Sequence, residues 1–145
     1  MVDDLDTLFQ TLTLRGKTLK NRIFSTGHMA VMLDDGKPTA RMVAYHEAKA
    51  QGGAALTIIE AARVHPSGDS GRSAIRAYDP ACVPGYARLA EACQPHGCLI
   101  FAQLTHPGRE MAMAARAFIG DAAVPEMAAR TCPSATQTTE IAVGA

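Results

Sequence analysis

Two apolar runs, each directly following a one-sided helix pattern, constrain this chain more than any other feature. The first run, AALTIIEAARV at residues 54–64, has no polar alternation across residues 56–59, and the second, CLIFAQL, covers residues 98–104. Runs of this kind are typical of strands that are buried on both faces, as in parallel sheets covered by helices. The pattern therefore predicts an α/β fold in which strands and helices alternate along the chain.

The two helix patterns that precede these strands carry end signals. Thr39 can cap a helix over residues 40–51, which Gly52 ends. A second helix is predicted from residue 83 until shortly before Gly97. Each has residues at spacings of three and four that predict one buried face. They are Met42, Val43, His46 and Ala50 in the first helix, and Val83, Tyr86, Leu89, Ala90 and Cys93 in the second.

Shorter elements are predicted around this alternating core. Residues 8–19, LFQTLTLRGKTL, predict a hairpin that turns near Arg15. A short strand is predicted at residues 23–24, and loops at residues 34–38 and 66–80. The predicted order is therefore hairpin, strand, helix, strand, helix, strand.

The last part of the chain breaks this pattern. Residues 110–145 are alanine-rich, contain Pro125 and Pro133, and include a polar SATQTTE cluster. We predict a loop and an irregular tail that need not be ordered, without a fourth strand. The predicted domain therefore comprises residues 1–109.

Two architectures fit the alternating pattern: an open doubly wound sheet and part of a (β/α)8 barrel. The first strand is not followed by the GxGxxG turn of a dinucleotide-binding sheet, so nucleotide binding of that kind is disfavoured. A hairpin before the first strand suits a barrel, where it can close the amino-terminal mouth. A complete barrel takes about 250 residues, and this chain has 145.

Composition argues against several classes of protein. With 14 basic and 14 acidic residues, zero net charge gives no reason to expect nucleic acid or an anionic membrane as a partner. The acidic amino terminus does not resemble a secretory signal, and no apolar run approaches about 20 residues. The four cysteines, Cys82, Cys93, Cys98 and Cys132, form no CxxC pair. A cytoplasmic protein with reduced thiols is predicted in preference to a disulfide framework.

Candidate ligand-binding residues follow the three predicted strands, because parallel α/β folds bind ligands at the carboxyl ends of strands. Gln103 can donate and accept, which suits the edge of a flavin-like ring; the alternative is a core glutamine bonded to neighbouring backbone. Glu60 is either a general base or, more commonly, a paired structural carboxylate. Arg109 is either a cation at this rim or a solvated surface charge.

The histidines give weaker signals. His28 and His106 have no acidic partner at ligand spacing, so a metal site is disfavoured. His46, at helical spacing from Met42, is predicted to pack between the helix and the sheet. His65 and His96 are predicted loop residues.

Three motifs in order add up to a resemblance. TLKNRIFSTGHM, GGAALTIIEAARVHPSG and FAQLTHPGR, within residues 8–109, resemble the opening of the old yellow enzyme family of FMN-dependent oxidoreductases, in particular the branch of 2,4-dienoyl-CoA reductase and trimethylamine dehydrogenase. The resemblance implies a partial (β/α)8 TIM barrel with an amino-terminal hairpin and about three βα units. It also implies FMN as cofactor, NAD(P)H as reductant and a small-molecule substrate.

The resemblance also implies site residues. Thr26, Gly27, His28 and Met29 follow the first strand and would lie along the flavin, and Ala61 would lie against it. Gln103 would hydrogen-bond the flavin ring. Met29 stands where relatives carry a threonine, cysteine or histidine, so covalent attachment of the flavin is not expected there; Gly27 and His28 also differ from the residues common in the reductases.

Other parts of the family's site have no counterpart in this chain. The substrate-anion-binding His/Asn or His/His pair, the proton-donating tyrosine, the phosphate-binding basic residues and the iron–sulfur cysteines all follow the third strand in the family. We therefore predict an amino-terminal fragment, from a truncated or frameshifted reading frame, that is inactive alone and has no assigned catalytic or metal-binding residue. The alternative is a non-catalytic interaction module that completes its barrel with a partner chain or self-associates through open sheet edges.

Overall fold

The computed structural model describes residues 5–69, 74–108 and 140–143 of the chain. Within these ranges the helices are α1 (Asp6–Phe9), α2 (Ala40–Gln51) and α3 (Val83–Cys93). The strands are β1 (Leu12–Leu14), β2 (Lys17–Leu19), β3 (Phe24–Ser25), β4 (Leu33–Asp34), β5 (Lys37–Pro38), β6 (Leu56–Arg63), β7 (Ile75–Arg76), β8 (Leu99–Thr105) and β9 (Glu140–Val143). Arg109, Cys132 and most of the predicted tail lie outside the described residues.

The central sheet follows the order of the chain. β6 lies in the middle and pairs in parallel with β3 on one side and β8 on the other. α2 connects β3 to β6, and α3 lies between β6 and β8 in sequence. A doubly wound sheet would reverse its strand order at a switch point, whereas this order continues in one direction. The predicted partial (β/α)8 barrel is therefore the architecture of these strands.

The two longer helices confirm their predicted end signals. α2 begins after Thr39, whose Oγ1 accepts a hydrogen bond from the backbone N–H of Met42 at 3.4 Å.

In α3 the predicted buried face is confirmed at Leu89 and Cys93 but is wrong at Val83, which is 59% exposed. Gly85 is buried in its place, because its lack of a side chain admits Pro38: a Cβ there would lie 2.7 Å from Pro38 Cδ.

The sheet has two differently packed faces. On the outer face, α2 and α3 cover a cluster of fully buried or nearly buried residues: Met42, Ile59, Ala62, Ile75, Cys82 and Leu89. On the inner face, a second cluster contains Leu19, Ala55, Leu56 and Phe101, with Leu12, Ile58 and Leu99 packed against it. Leu12 and Leu19 belong to the β1–β2 hairpin, so the hairpin closes the amino-terminal end of the inner face, as predicted.

His46 is the packing histidine that the helical spacing predicts. Its side chain is buried between α2 and β6, where Nδ1 lies 2.8 Å from Thr57 Oγ1 in a hydrogen bond. Burial, followed by the charges of Lys49 and His28, lowers the pKa of His46 to about 4. The ring is therefore neutral near pH 7.

Two predicted loops contain two-residue strands. Residues 34–38 lie in an antiparallel β4–β5 hairpin, whose turn residues Asp35 and Gly36 have φ of 45° and 71°. The predicted loop 66–80 contains β7, which pairs in parallel with the end of β6. Two-residue strands are too short to produce a periodic pattern.

The prediction of no strand after β8 is wrong. β9 pairs antiparallel with β8, from Phe101 opposite Val143 to Leu104 opposite Glu140. Its four residues follow a polar cluster and show no alternation, but the unpaired edge of β8 offers backbone donors and acceptors that a short segment can satisfy. Among the described residues, no helix is long and apolar enough to cross a membrane.

Candidate functional site

A bulge at Glu60 determines which residues of β6 line the inner face. Before it, Ile59 pairs with Ala102; after it, Ala61 pairs with Gln103. The extra residue in β6 shifts the alternation of side chains by one position. Ala61 consequently lies beside Gln103.

The packing of neighbouring residues identifies this side of the sheet. Phe101 belongs to the inner cluster, and Gln103 is two residues further along the same strand, so both lie on the inner face. Ala62 is buried in the outer cluster, so Ala61 and Arg63 lie on the inner face as well. The carboxyl-terminal half of the inner face therefore carries polar and small side chains above an apolar base.

Gly27 completes this group from the segment that follows β3. A Cβ at Gly27 would lie 2.8 Å from Gln103 Oε1 and 3.3 Å from both Ile58 Cγ2 and the Ile59 carbonyl oxygen. Glycine is therefore the residue that lets this segment approach the inner face so closely. Gly27, Ala61 and Gln103, three of the six predicted site residues, lie together.

The side-chain amide of Gln103 is half-buried and has no hydrogen-bond partner among residues 5–69, 74–108 and 140–143. The described hydrogen bonds thus include none from this amide to the neighbouring backbone. A half-buried amide with unused donors and acceptor can bind a ligand that presents the complementary groups.

The other three predicted residues, Thr26, His28 and Met29, are exposed. His28 Nε2 hydrogen-bonds Tyr45 Oη of α2, and the two rings meet edge-on with centroids 5.7 Å apart. Lys49 supports the same contact, because its Nζ lies 4.1 Å from the Tyr45 ring centroid and donates to Ser25 Oγ at 2.8 Å. The ring of His28 is thus held by α2.

Glu60 anchors the loop that follows these residues. The carboxylate is 1% exposed, and its Oε2 accepts hydrogen bonds from the backbone N–H groups of Ala30 and Val31, the latter at 3.1 Å. Val31 has a φ of 53°, which is rare for a β-branched residue and needs support from its surroundings. The predicted structural role is therefore filled by backbone partners rather than by a cation.

Two buried oxygens near this anchor have no partner within the described part of the chain: Oε1 of Glu60 and Oη of Tyr86. Burial raises the pKa of Tyr86, and the charges of Cys82 and Glu60 add to that effect. Tyr86 is thus a neutral phenol that lies within the electrostatic reach of the carboxylate.

His106 takes part in a hydrogen-bond chain between the loops after β6 and β8. The backbone N–H of Gly108 donates to His106 Nδ1 at 3.0 Å, so Nε2 carries the proton and donates to Ser67 Oγ at 2.9 Å. Ser67 Oγ also lies 2.8 Å from His65 Nδ1. No group of three or more potential metal ligands occurs among the described residues.

Arg63 is the residue of this face that the sequence reasoning missed. Its Nη1 donates to Thr105 Oγ1 at 3.4 Å, while Nε is buried without a partner in the described part of the chain. Burial lowers the pKa of Arg63, and the charge of Asp69 opposes that effect. The signal was present, since Arg63 follows Ala61 at the two-residue period of a strand face.

Comparison with known proteins agrees with this arrangement of parallel strands, amino-terminal hairpin and small or polar residues on the inner face. Residues 7–142 match the model of the NADH:flavin oxidoreductase / NADH oxidase family. The chain belongs to this family and corresponds to its amino-terminal part. FMN is the cofactor of the family, with NAD(P)H as reductant.

Individual relatives agree with this assignment. The chain is 35% identical over 105 residues to a multifunctional alkene reductase/demethylase of Caballeronia cordobensis, and 36% identical over 108 residues to an N,N-dimethylglycine/sarcosine dehydrogenase of Chromohalobacter salexigens. These matches cover 72% of this chain but only 16% and 15% of the two relatives. The structure of the old yellow enzyme from Trypanosoma cruzi matches with a TM-score of 0.65 and 31% identity, over 72% of this chain and 28% of that one.

Proposed function

We propose that this chain forms the amino-terminal part of an FMN site, in which Gln103 hydrogen-bonds the polar edge of the flavin ring. The observation that carries the proposal is the amide of Gln103, which lies beside Gly27 and Ala61 and has no hydrogen-bond partner in the described part of the chain. An amide offers both a donor and an acceptor, as the flavin pyrimidine edge requires. The absence of a side chain at Gly27 lets the segment after β3 approach Gln103 closely, and Ala61 adds only a methyl group beside Gln103.

Thr26, His28 and Met29 are the remaining residues of the proposed site. All three follow β3, at the carboxyl ends of the parallel strands, where (β/α)8 barrels bind their ligands. Tyr45 fixes the ring of His28, and Glu60 fixes the loop that follows Met29. These contacts would orient the segment before a cofactor arrives, which lowers the cost of ordering it on binding.

The proposed reaction class is that of the family: NAD(P)H-linked reduction of activated double bonds or oxidative demethylation of amines on small-molecule substrates. FMN supplies the hydride chemistry when bound. The residues of this chain would bind and orient the ring, and none of them is assigned a proton-transfer role. We therefore propose that the 145-residue chain is inactive or nearly inactive alone.

Titration of the purified chain with FMN, followed by quenching of flavin fluorescence, tests the cofactor site. Gln103→Leu should weaken FMN binding at least tenfold, because it removes both hydrogen-bonding groups. Gln94→Leu is the matched control, since Gln94 is an exposed glutamine in the turn after α3. Equal affinity of the Gln103→Leu and unsubstituted chains would overturn the assignment of Gln103, and NADPH turnover by the isolated chain would overturn the proposed inactivity.

A second candidate function is a non-catalytic module that pairs with another chain. The exposed strand β3 favours it. Phe24 is 55% exposed, and β3 pairs on one edge only among the described strands. An apolar side chain on an unpaired edge favours association. Light scattering after size-exclusion chromatography should give a defined dimer or higher assembly that Phe24→Lys dissociates; a monomer at all concentrations contradicts this candidate.

We propose a reducing, cytoplasmic setting for the chain. Cys82, Cys93 and Cys98 are buried free thiols. Burial, followed by the charges of Cys98 and Glu47, raises the pKa of Cys93 to about 11, so this thiol is protonated and unreactive at neutral pH. Slow reaction of all three with a thiol reagent in the folded chain, and fast reaction after unfolding, is the expected result.

A further inference from the structure

Arg63 lies at the carboxyl-terminal edge of the proposed flavin face. It follows Ala61 by two residues on β6, and its partner in the sheet register is Thr105, which follows Gln103 by two residues on β8. Arg63 and Thr105 thus form the next pair along the inner face after Ala61 and Gln103. A molecule resting on a ring held by Gln103 would meet this pair.

The hydrogen bonding of Arg63 is incomplete for a half-buried cation. A guanidinium has five N–H donors, yet its hydrogen bonding within the described residues consists of the 3.4 Å contact to Thr105 Oγ1, and Nε is buried without a partner there. Half-buried cations normally have a paired anion or several acceptors. None of the salt bridges of the described residues includes Arg63.

The neighbouring acidic residue is engaged elsewhere. Asp69 Oδ2 accepts hydrogen bonds from Arg76 Nε and Tyr78 Oη, each at 2.7 Å. Asp69 nonetheless contributes negative potential at Arg63. Asp69 and Arg76 largely offset each other's charge as an ion pair, so Arg63 leaves a single positive charge at this edge, which favours a ligand with a single negative charge over a dianion.

We propose that Arg63, together with the Thr105 hydroxyl, binds the carboxylate of a small substrate above the flavin face. The proposal rests on the proposed function for the position of that face, but its chemistry concerns Arg63 alone. A guanidinium pairs with a carboxylate through two parallel N–H···O bonds, a fixed geometry that a lysine cannot reproduce. Thr105 Oγ1 can donate to the same carboxylate or keep the guanidinium in its plane.

The test uses the whole chain labelled with ¹⁵N and records the Nε–Hε resonance of Arg63 by NMR. The probes are propionate and propionamide, which match in size and differ in charge, and inorganic phosphate as a competing anion. Propionate should shift the Arg63 resonance saturably, at least tenfold more tightly than propionamide and more tightly than phosphate. Equal response to propionamide, tighter binding of phosphate, or no shift of Arg63 would each overturn the carboxylate assignment.

Variants distinguish loss of propionate binding at Arg63 from loss of FMN binding and from unfolding. Arg63→Gln should abolish the shifts that propionate causes in the neighbouring backbone amides, and Arg63→Lys, which keeps the charge, should retain only weakened binding. Arg41→Gln, on the exposed face of α2, should bind propionate unchanged. Gln103→Leu should lose FMN affinity and keep the propionate response. Retention of the unsubstituted affinity by Arg63→Gln would overturn the proposal even if FMN binding at Gln103 is confirmed.

Discussion

The two faces of strand β6 differ in how closely their side chains are packed and hydrogen-bonded within the chain. The outer face packs Ile59 against helices, with Met42 and Leu89 fully buried, and its buried polar pair, His46 and Thr57, is hydrogen-bonded internally. The hairpin packs against the base of the inner face, but towards the carboxyl ends of the strands Gln103 and the Nε of Arg63 have no hydrogen-bond partner among the described residues. Apart from Tyr86 Oη, which is buried without a partner in the described part of the chain, the outer face is a closely packed core, whereas the inner face carries half-buried polar side chains.

The two faces should respond differently to amino-acid substitution. Close packing makes each methylene of the outer face contribute to stability. On the inner face, polar groups without partners among the described residues contribute little to stability and are proposed to bind a ligand. Substitutions should therefore separate into losses of stability on the outer face and losses of binding on the inner face.

The largest stability effect is expected from Leu89→Ala on the outer face. Leu89 is fully buried on α3, and truncation of a buried leucine costs about 2–5 kcal/mol because a cavity remains. Val83→Ala on the same helix is the matched control: its side chain is 59% exposed, and the change should cost less than about 0.5 kcal/mol. Urea unfolding measures both, and similar losses for the two variants would contradict the assignment of the outer core.

Acid should weaken the outer face through His46. The unfolded chain binds a proton at His46 near pH 6.5, while the folded chain binds it only near pH 4, so protonation favours unfolding between these values. The stability contribution is therefore complete above pH 6.5 and is lost as the pH falls towards 4. The maximum loss is about 3 kcal/mol, since one pKa unit corresponds to about 1.4 kcal/mol.

Urea unfolding at pH 7 and pH 4.5 measures this effect. The double variant His46→Leu/Thr57→Val removes both hydrogen-bonding partners together and should lose most of the pH dependence in this range. His96→Gln, in the turn after α3, should keep it. An unchanged pH dependence in the double variant would show that another group is responsible.

The outer face is also the part that sequence predicts well. Residues at spacings of three and four, a threonine cap and terminal glycines are local signals, so the bounds of α2 agree with the prediction at both ends. Which residues share the inner face depends on the register between strands, and that register is set by residues far apart in sequence. The bulge at Glu60 decides that Ala61 and Arg63 share a face with Gln103, and no residue type in AALTIIEAARV indicates it.

The same reasoning explains the two clearest errors. The predicted site residues of β6 stop at Ala61, whereas the strand itself continues to Arg63. β9 gives no pattern of its own because its pairing is determined by the free edge of β8, a property of the partner strand rather than of its own four residues. The predicted flavin contacts of all six site residues stay predictions, since they depend on the family resemblance; these residues are Thr26, Gly27, His28, Met29, Ala61 and Gln103.

A smaller loss of stability is expected from Glu60→Gln. This variant tests whether Glu60 of β6 anchors the loop at Ala30 and Val31. The carboxylate accepts from two backbone N–H groups, and replacing a charged acceptor with an amide should cost about 1–2 kcal/mol. Hydrogen exchange at Ala30 and Val31 should become faster, while α3 amides remain protected. Glu91→Gln, on the exposed face of α3, is the control, and unchanged exchange at Ala30 and Val31 would exclude the anchoring role.

The smallest stability effect, with a large binding effect, is expected from Gly27→Ala. The nearest atom to the added Cβ is Gln103 Oε1 at 2.8 Å, the end of a side chain that can rotate away. Ile58 Cγ2 and the Ile59 carbonyl oxygen, both at 3.3 Å, need shift by only a few tenths of an ångström, and the backbone of Gly27 is not in the left-handed region. Stability should therefore change by less than about 1 kcal/mol, since reduced freedom of the unfolded chain offsets part of the crowding.

Displacement of the Gln103 amide should nevertheless weaken FMN binding about tenfold, which corresponds to about 1.4 kcal/mol, or the loss of one hydrogen bond. Gly52→Ala is the matched control, because a Cβ there would lie 3.4 Å from the nearest atoms, two carbonyl oxygens of α2, far along the chain from the proposed ring. Urea unfolding and FMN titration of both variants separate the two faces. A stability loss in Gly27→Ala as large as that of Leu89→Ala would mean that the inner face is packed as tightly as the outer one, and the contrast between them would not hold.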